Sequence, residues 1–197
     1  MKYFGDAVIL CGGKSTRMNF DKSLAKINGR YMIEIIAEKL SLCFENVRLC
    51  AKSKEKFAAF DLEVIEDSVK GGTGPAAGIC SALKRAAAKY VFVAACDMPL
   101  INPAHIEFMK RELESRAFAP DALVPMNGRY IEPLYGFYSA DMAETFEAEI
   151  QRGNYKIHDI LRKCHTLYLD EKYSRAFDEN LGMFANINYP ADLESVL

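Results

Sequence analysis

One stretch near the middle of the chain constrains the fold more than any other, because residues 90–95 form a continuous apolar run. Such a run is typical of a strand that is buried on both faces of a parallel sheet. Residues 75–89 before it show helical spacing, and a further helix is predicted to begin at Asn102-Pro103, with Asn102 as its cap. This alternation predicts an α/β fold with a mostly parallel, doubly wound central sheet, whose ligand lies at the carboxyl ends of the strands.

The other predicted elements follow from the same periodicities. Helical spacing at residues 33–40 predicts one more helix in the first half of the chain. From about residue 121 the pattern is less regular, but it still predicts strands and helices. The predicted strands are residues 6–11, 47–51, 62–65, 123–126 and 134–138, and the later helices are residues 141–151 and 157–161. We therefore expect one domain over residues 1–197, without a linker or an internal repeat.

The composition argues against several classes of protein. The chain carries 25 Lys and Arg against 27 Asp and Glu, a net charge of −2, whereas a general nucleic-acid binder is usually broadly basic. The six cysteines form no C-x-x-C pair, and the N-terminus lacks the long apolar segment of a secretory signal. No apolar run approaches the length of a membrane span. We expect a cytoplasmic protein with reduced thiols and with neither nucleic acid nor a membrane as partner.

The predicted first strand runs directly into two glycines, Gly12 and Gly13, and cations follow at Arg17 and Lys22. Paired glycines let the backbone approach a ligand closely, since no Cβ intervenes. Backbone N–H groups with nearby Lys and Arg side chains suit a polyphosphate. A Walker loop would need glycine in place of Val8, and a dinucleotide-binding loop would need a third glycine. The segment is therefore a different kind of phosphate loop, or an ordinary glycine turn with solvated cations.

Two predicted strands are followed by acidic side chains. Asp97 comes directly after the apolar strand, and Asp67 comes after the strand at residues 62–65. A carboxylate at the carboxyl end of a central strand points into the ligand crevice, and Mg²⁺ prefers one or two carboxylates plus phosphate oxygens and water. Asp97 is therefore the predicted Mg²⁺ ligand. The alternatives are that Asp97 only caps the turn before Pro103 and that Asp67 is a surface cap.

The glycine loop resembles the L-x-G-G-x-S-x-R-M-G-x-D-K signature of the nucleotidyltransferases that include the molybdenum cofactor guanylyltransferases. The matching residues are Leu10, Gly12, Gly13, Ser15, Arg17, Met18, Asp21 and Lys22. Asn19 replaces the usual glycine, and Asn tolerates positive φ better than other residues with a side chain. The later family motifs occur in order, with G-P-x-x-G from Gly74, C-D-x-P from Cys96, E-P-L from Glu132 and N-x-N-x-P-x-D from Asn186.

The resemblance covers residues 7–193 and implies a single-domain, Rossmann-like nucleotidyltransferase fold of the GT-A-like type. Residues 1–120 would form the nucleotide-binding half, and residues 121–197 the acceptor-side half. GMP would pass from GTP to the phosphate of molybdenum-molybdopterin, with release of pyrophosphate. An acceptor phosphate already carries about −1.5 to −2 charge, so no general base is needed. Catalysis would consist of positioning and charge neutralisation.

The resemblance also implies a role for each matching residue. Arg17 and Lys22 would neutralise the α-phosphate and the leaving pyrophosphate, and Asp97 would hold Mg²⁺. Asn186 and Asn188 would lie on the acceptor side. The residues implied to bind GTP are Leu10, Cys11, Gly12, Gly13, Lys22, Asp67, Gly74 and Asp97. Transient contact with cofactor-biosynthesis proteins or molybdoenzyme chaperones would complete the set of partners.

The sequence leaves alternatives open for the base that is transferred and for the acceptor that receives it. The Gly12-Gly13 pair favours guanine, because related cytidylyl and sugar-nucleotide enzymes tend to have Ala before the second glycine. Family members often carry Asn after the second strand, whereas residues 49–52 here are Leu-Cys-Ala-Lys. Cytidylyl transfer, transfer to a sugar phosphate, and a non-catalytic nucleotide-binding regulator are the alternative functions.

Overall fold

A computed structural model of the chain describes residues 2–12, 22–67 and 74–187, with Lys22 described in its backbone only. The described residues form strands with helices between them along the chain. The strands are β1 (Lys2–Leu10), β2 (Lys26–Ile27), β3 (Arg30–Tyr31), β4 (Asn46–Ala51), β5 (Glu63–Glu66), β6 (Ala88–Ala95), β7 (Ala122–Asn127), β8 (Tyr130–Ile131), β9 (Tyr135–Ser139) and β10 (Thr166–Leu169). The helices are α1 (Met32–Ser41), α2 (Pro75–Lys84), α3 (Pro103–Ser115), α4 (Ala143–Gln151), α5 (Ile157–Leu161) and α6 (Glu171–Arg175). None of these helices has the length and apolar character needed to cross a membrane.

The main sheet has the strand order β10-β7-β9-β6-β1-β4-β5, and β8 pairs with β7. β1 is parallel to β4 and β6, β4 is parallel to β5, and β7 is parallel to β10. Only β9 in this order runs against its two neighbours, β6 and β7. Because β6 and β7 both oppose β9, they point the same way. The carboxyl ends of β1, β4, β5, β6, β7 and β10 therefore meet at one edge of the sheet, as the predicted mostly parallel fold requires.

Helices cover both faces of the sheet, and the alternation of side chains along β1 shows why. Ile9 points to the face covered by α1 and α3, whereas Val8 and Leu10 point to the face covered by α2, α4 and α5. Both sets are buried, as the period-two geometry of a strand between two helical layers demands. The apolar run at residues 90–95 is likewise buried along its whole length in β6, which confirms the prediction made from it.

The predicted helix at residues 75–89 ends five residues too late. Helix α2 stops at Lys84, because the backbone N–H groups of Ala87 and Ala88 donate to the carboxylate of Asp6 at 2.6 and 2.9 Å. Asp6 is buried and lies on β1. Its carboxylate binds the backbone at the start of β6, so a long-range contact overrides the helical tendency of the Ala-rich segment.

The cap predicted for the third helix is confirmed. The side chain of Asn102 accepts hydrogen bonds from the backbone N–H groups of Ala104 and His105 at 3.0 and 3.2 Å. Strands β7 and β9 also lie where the sequence predicts strands. The short elements β2, β3, β8, β10 and α6 were not predicted.

Candidate active site

Backbone hydrogen bonds hold the end of β1 between its two neighbours at the carboxyl edge of the sheet. The N–H of Cys11 donates to the carbonyl of Cys50 at 2.8 Å, and the N–H of Cys96 donates to the carbonyl of Leu10 at 3.3 Å. Gly12 follows immediately and is exposed. The predicted phosphate loop therefore begins at the centre of the edge, where ligands bind in open α/β sheets.

The G-P-x-x-G motif at the start of α2 needs each of its two glycines for a different reason. Gly74 has φ +76°, in the left-handed region that favours glycine, and Pro75 occupies the first helical position. A Cβ at Gly78 would lie 3.2 Å from Cδ2 of Leu10 and 3.6 Å from Sγ of Cys50. The first glycine allows the turn, and the second allows α2 to pack closely against β1 and β4.

Asp67 lies at the end of β5 and faces α2. Its N–H donates to the carbonyl of Ala51 at 2.8 Å, which extends the pairing of β5 with β4. Its Oδ1 accepts a hydrogen bond from the hydroxyl of Ser81, a buried residue of α2, at 3.1 Å. These contacts orient a half-buried carboxylate toward the space between β5 and α2.

A narrow cleft brings four of the predicted GTP-binding residues together: Leu10, Gly12, Asp67 and Gly74. The sequence analysis did not assign GTP contacts to the other residues of the lining. Their signal was their place at the end of the strand beside β1 or in the G-P-x-x-G motif that opens α2. These additional residues are Cys50, Ala51, Lys52, Pro75 and Gly78. Cys11 is buried beneath the start of the loop and does not line the cleft.

Asp97 and the C-terminal motif meet at the same edge. Asp97 follows β6 and is half-buried, and its backbone carbonyl accepts a hydrogen bond from the N–H of Ile187 at 2.7 Å. Ile187 is buried beside the exposed Asn186, so Asn186 lies near Asp97. Leu134 of the E-P-L segment also reaches this place, since its carbonyl accepts from the N–H of Ala95 at 3.1 Å. Three motifs that are far apart in sequence thus converge.

Several predicted residues lie outside the described part of the chain. Gly13, Arg17 and Asn188 are among these residues, and so is the side chain of Lys22, whose backbone begins a 3₁₀ turn that ends at Leu24. The roles predicted for them stay predictions.

Lys56 is a cation near the glycine loop that the sequence analysis did not single out. Its Nζ donates to Oγ of Ser23, a buried residue that follows Lys22, at 2.5 Å. The pKa of the Cys11 thiol lies well above its usual value, because Cys11 has a hydrogen bond with Cys96 and is buried. The charge of Lys56 opposes this rise. Lys56 therefore lies close to residues on both sides of the loop.

The chemistry of Asp97 fits the predicted metal. No group of three or more His, Cys, Asp or Glu side chains within residues 2–12, 22–67 and 74–187 is arranged to hold a metal ion. Mg²⁺ in nucleotide sites is usually bound by one or two carboxylates, with phosphate oxygens and water as the other ligands. A single carboxylate at the edge where the glycine loop begins is a donor set of this kind.

The fold is shared with solved nucleotidyltransferase structures. One of them, the 2-C-methyl-D-erythritol 4-phosphate cytidylyltransferase from Thermus thermophilus, superposes with a TM-score of 0.67 at 14% identity, covering 100% of this chain and 97% of that one.

The comparisons also show the family. The model of the MobA-like NTP transferase domain matches residues 7–167, and the chain belongs to this family. A probable molybdenum cofactor guanylyltransferase from Peptoclostridium acidaminophilum is 35% identical over 98% of this chain and 88% of its own length. The molybdenum cofactor guanylyltransferase from Syntrophotalea carbinolica is 35% identical over 97% of this chain and 90% of its own length.

A solved structure agrees with these relatives. The molybdopterin-guanine dinucleotide biosynthesis protein A from Archaeoglobus fulgidus superposes with a TM-score of 0.83 at 31% identity, covering 97% of this chain and 96% of that one. The predicted family and enzyme class are confirmed, and the alternatives of cytidylyl transfer, sugar-phosphate transfer and a non-catalytic regulator are not favoured.

Proposed function

We propose that this protein transfers GMP from GTP to the phosphate of molybdenum-molybdopterin and releases pyrophosphate. The observation that carries the proposal is the convergence of the nucleotide cleft, Asp97 and Asn186 at one edge of the sheet. The relatives that match nearly the full chain are named as molybdenum cofactor guanylyltransferases. These names support guanine as the base and the molybdenum cofactor as the acceptor.

The nucleoside of GTP is assigned to the cleft between β4, β5 and the start of α2. Leu10 and the Cα of Gly78 supply an apolar wall, and the half-buried carboxylate of Asp67 supplies a hydrogen-bond acceptor for the nucleoside. Gly12 lines this cleft, is exposed and begins the glycine loop, so the triphosphate extends from there over the loop. Backbone N–H groups and cations in that loop suit its charge.

The reaction is an in-line displacement at the α-phosphorus. An oxygen of the acceptor phosphate forms the new bond, and the bond to the bridging oxygen of pyrophosphate breaks. Arg17 and Lys22 neutralise the charge on the α-phosphate and the leaving group. Asp97 would hold Mg²⁺, which supplies further charge neutralisation on the phosphate oxygens when bound. The chain's own contribution is orientation and charge, because the acceptor phosphate is already ionised.

We further assign this activity to the cytoplasm, with transient contacts to cofactor-biosynthesis proteins or molybdoenzyme chaperones. The product must reach the enzymes that use it, and the exposed Asn186 lies on the side where the acceptor would enter. This assignment rests on the proposed reaction.

The test is magnesium-dependent transfer from α-labelled GTP to molybdenum-loaded molybdopterin, with CTP and UTP in parallel. We expect the wild type to transfer GMP from GTP. The Asp97→Asn and Lys22→Gln variants should be at least about a hundredfold slower, since each removes charge stabilisation at the reacting phosphates. Asp61→Asn and Lys54→Gln change exposed residues of the same types and should leave the rate unchanged. Equal turnover with CTP would contradict the base assignment. GTP binding without turnover would contradict the proposed reaction.

A further inference from the structure

A further pocket opens at the same edge of the sheet as Asp97, on the other side of β9. Its volume is about 540 Å³, within the range of small-molecule sites. The lining comes from the ends of β7 and β10, from β8 and from α5. The lining residues that carry the argument are Met126, Arg129, Ile131, Arg162, Tyr168 and Asp170.

The pocket offers a flat ligand an aromatic surface. Tyr168 is 38% exposed and lies on β10, and Met126 and Ile131 face each other across the β7–β8 pair. Nucleobases and similar planar rings stack on aromatic side chains whatever polar atoms they carry, because each ring has a π-face. An aromatic ring bordered by two apolar side chains therefore suits a planar heterocycle.

Opposite charges flank this surface. The Arg162 guanidinium makes no hydrogen bond or ion pair with any residue that the structure describes. Asp170 caps α6 with Oδ1, which accepts from the N–H of Lys172 at 2.9 Å, and its Oδ2 makes no hydrogen bond within the described ranges. Arg129 also lines the pocket, and within the described ranges its guanidinium donates only to the hydroxyl of Tyr130. Two cations and one carboxylate oxygen therefore remain to contact a ligand.

We propose that this pocket binds the pterin end of the acceptor, an inference that rests on the proposed function. A pterin is planar and presents amino and amide N–H groups along its pyrimidine edge, which match the free oxygen of Asp170. The molybdenum-dithiolene part of the acceptor is anionic and matches Arg162. The pterin ring packs on Tyr168.

The sheet order places this pocket at a suitable distance from the reacting phosphate. The pocket is lined by β7 and β10, which are two and three strand spacings from β6. Strands lie about 4.8 Å apart, so the ends of β7 and β10 are about 10 and about 14 Å from the end of β6. The pterin ring and the phosphate lie at opposite ends of molybdopterin. The acceptor can therefore span from Asp97 to the pocket along the edge of the sheet.

The test uses Tyr168→Ala, Asp170→Asn and Arg162→Gln in the full-length protein. Asn caps a helix as well as Asp does, so Asp170→Asn keeps the start of α6 and removes only the charge. Arg111→Gln, an exposed arginine on α3, is the matched control. The measurements are fluorescence titration with pterin-6-carboxylate and separate KM values for GTP and for molybdenum-loaded molybdopterin, with thermal unfolding as a check on folding.

We expect the three pocket variants to raise the pterin Kd and the acceptor KM at least about tenfold, with the GTP KM and the control unchanged. Equal pterin binding and acceptor KM in folded pocket variants would overturn the proposal. A wild-type protein that binds pterin through Tyr168 but does not transfer GMP would refute the proposed function and leave the pocket assigned to a pterin.

Discussion

His105 lies in the first turn of α3, and its burial makes the protein less stable as the pH falls. Its side chain is inaccessible to solvent, its Nε2 lies 3.1 Å from Oγ of Ser174, and its Nδ1 has no hydrogen-bond partner among the described residues. The rings within 6.3 Å of its centroid are those of Phe108, Tyr135, Phe177 and Phe184. This apolar setting lowers the pKa of His105 from 6.5 to about 4, because a buried imidazolium would lose its hydration.

The sign and the size of the effect follow from the two pKa values. Above pH 6.5 the imidazole is neutral in both states and has no effect on the pH dependence. Between pH 6.5 and 4 the unfolded chain binds a proton that the folded chain does not, so the free energy of unfolding falls as the pH falls. Each pKa unit corresponds to about 1.4 kcal/mol, which gives a loss of about 2 kcal/mol by pH 5 and about 3 kcal/mol by pH 4. Below pH 4 the loss levels off.

The assay is urea unfolding followed by circular dichroism at pH 7.5 and pH 5.0, for the wild type and His105→Phe. Phenylalanine keeps an aromatic ring among aromatic neighbours and cannot titrate. We expect the wild type to lose about 2 kcal/mol more than the variant between the two pH values. His165→Gln, at an exposed histidine, should behave like the wild type. Parallel losses in the wild type and His105→Phe would refute the reasoning.

Three more predictions concern other parts of the molecule. Lys56→Gln should lower kcat/KM for GTP about tenfold, equivalent to about 1.4 kcal/mol, because it removes the cation beside Ser23. Steady-state kinetics with Lys54→Gln as the control checks this prediction. An unchanged kcat/KM for GTP in Lys56→Gln would contradict it. Gly78→Val should lower the free energy of unfolding by about 1–3 kcal/mol and weaken GTP binding, because the Cβ of the new side chain would contact Leu10. The measurement is urea unfolding, and an unchanged free energy of unfolding would contradict the prediction. Hydrogen bonds from Lys163 and two other donors lower the pKa of the buried Glu149 to about 2, so its stabilising effect is complete above pH 4.5 and lost as the pH falls toward 2. Glu149→Gln should lower the Tm at pH 7 more than at pH 3, and an equal decrease at both would contradict this.

Local patterns were enough to predict much of the fold and part of the site. The apolar run that became β6 and the cap at Asn102 depend on residues close together in sequence, so periodicity and turn chemistry reveal them. The motif residues Leu10, Gly12, Asp67 and Gly74 were assigned to one site because they match the motifs of the nucleotidyltransferases that the sequence resembles, and the structure brings them to one cleft. The family was identified from these motifs.

The tertiary structure alone decided the features that depend on contacts between distant residues. Asp6 ends α2 early by accepting a hydrogen bond from the N–H of Ala88, a residue 82 positions away. Lys56 reaches Ser23 across 33 positions, so no local pattern marks it as a neighbour of the glycine loop. The insertion of β9 between β6 and β7 makes the pocket at Tyr168 share an edge with Asp97. Periodicity records which face of an element is buried, but not which distant segment covers it, and that choice is made only when the whole sheet assembles.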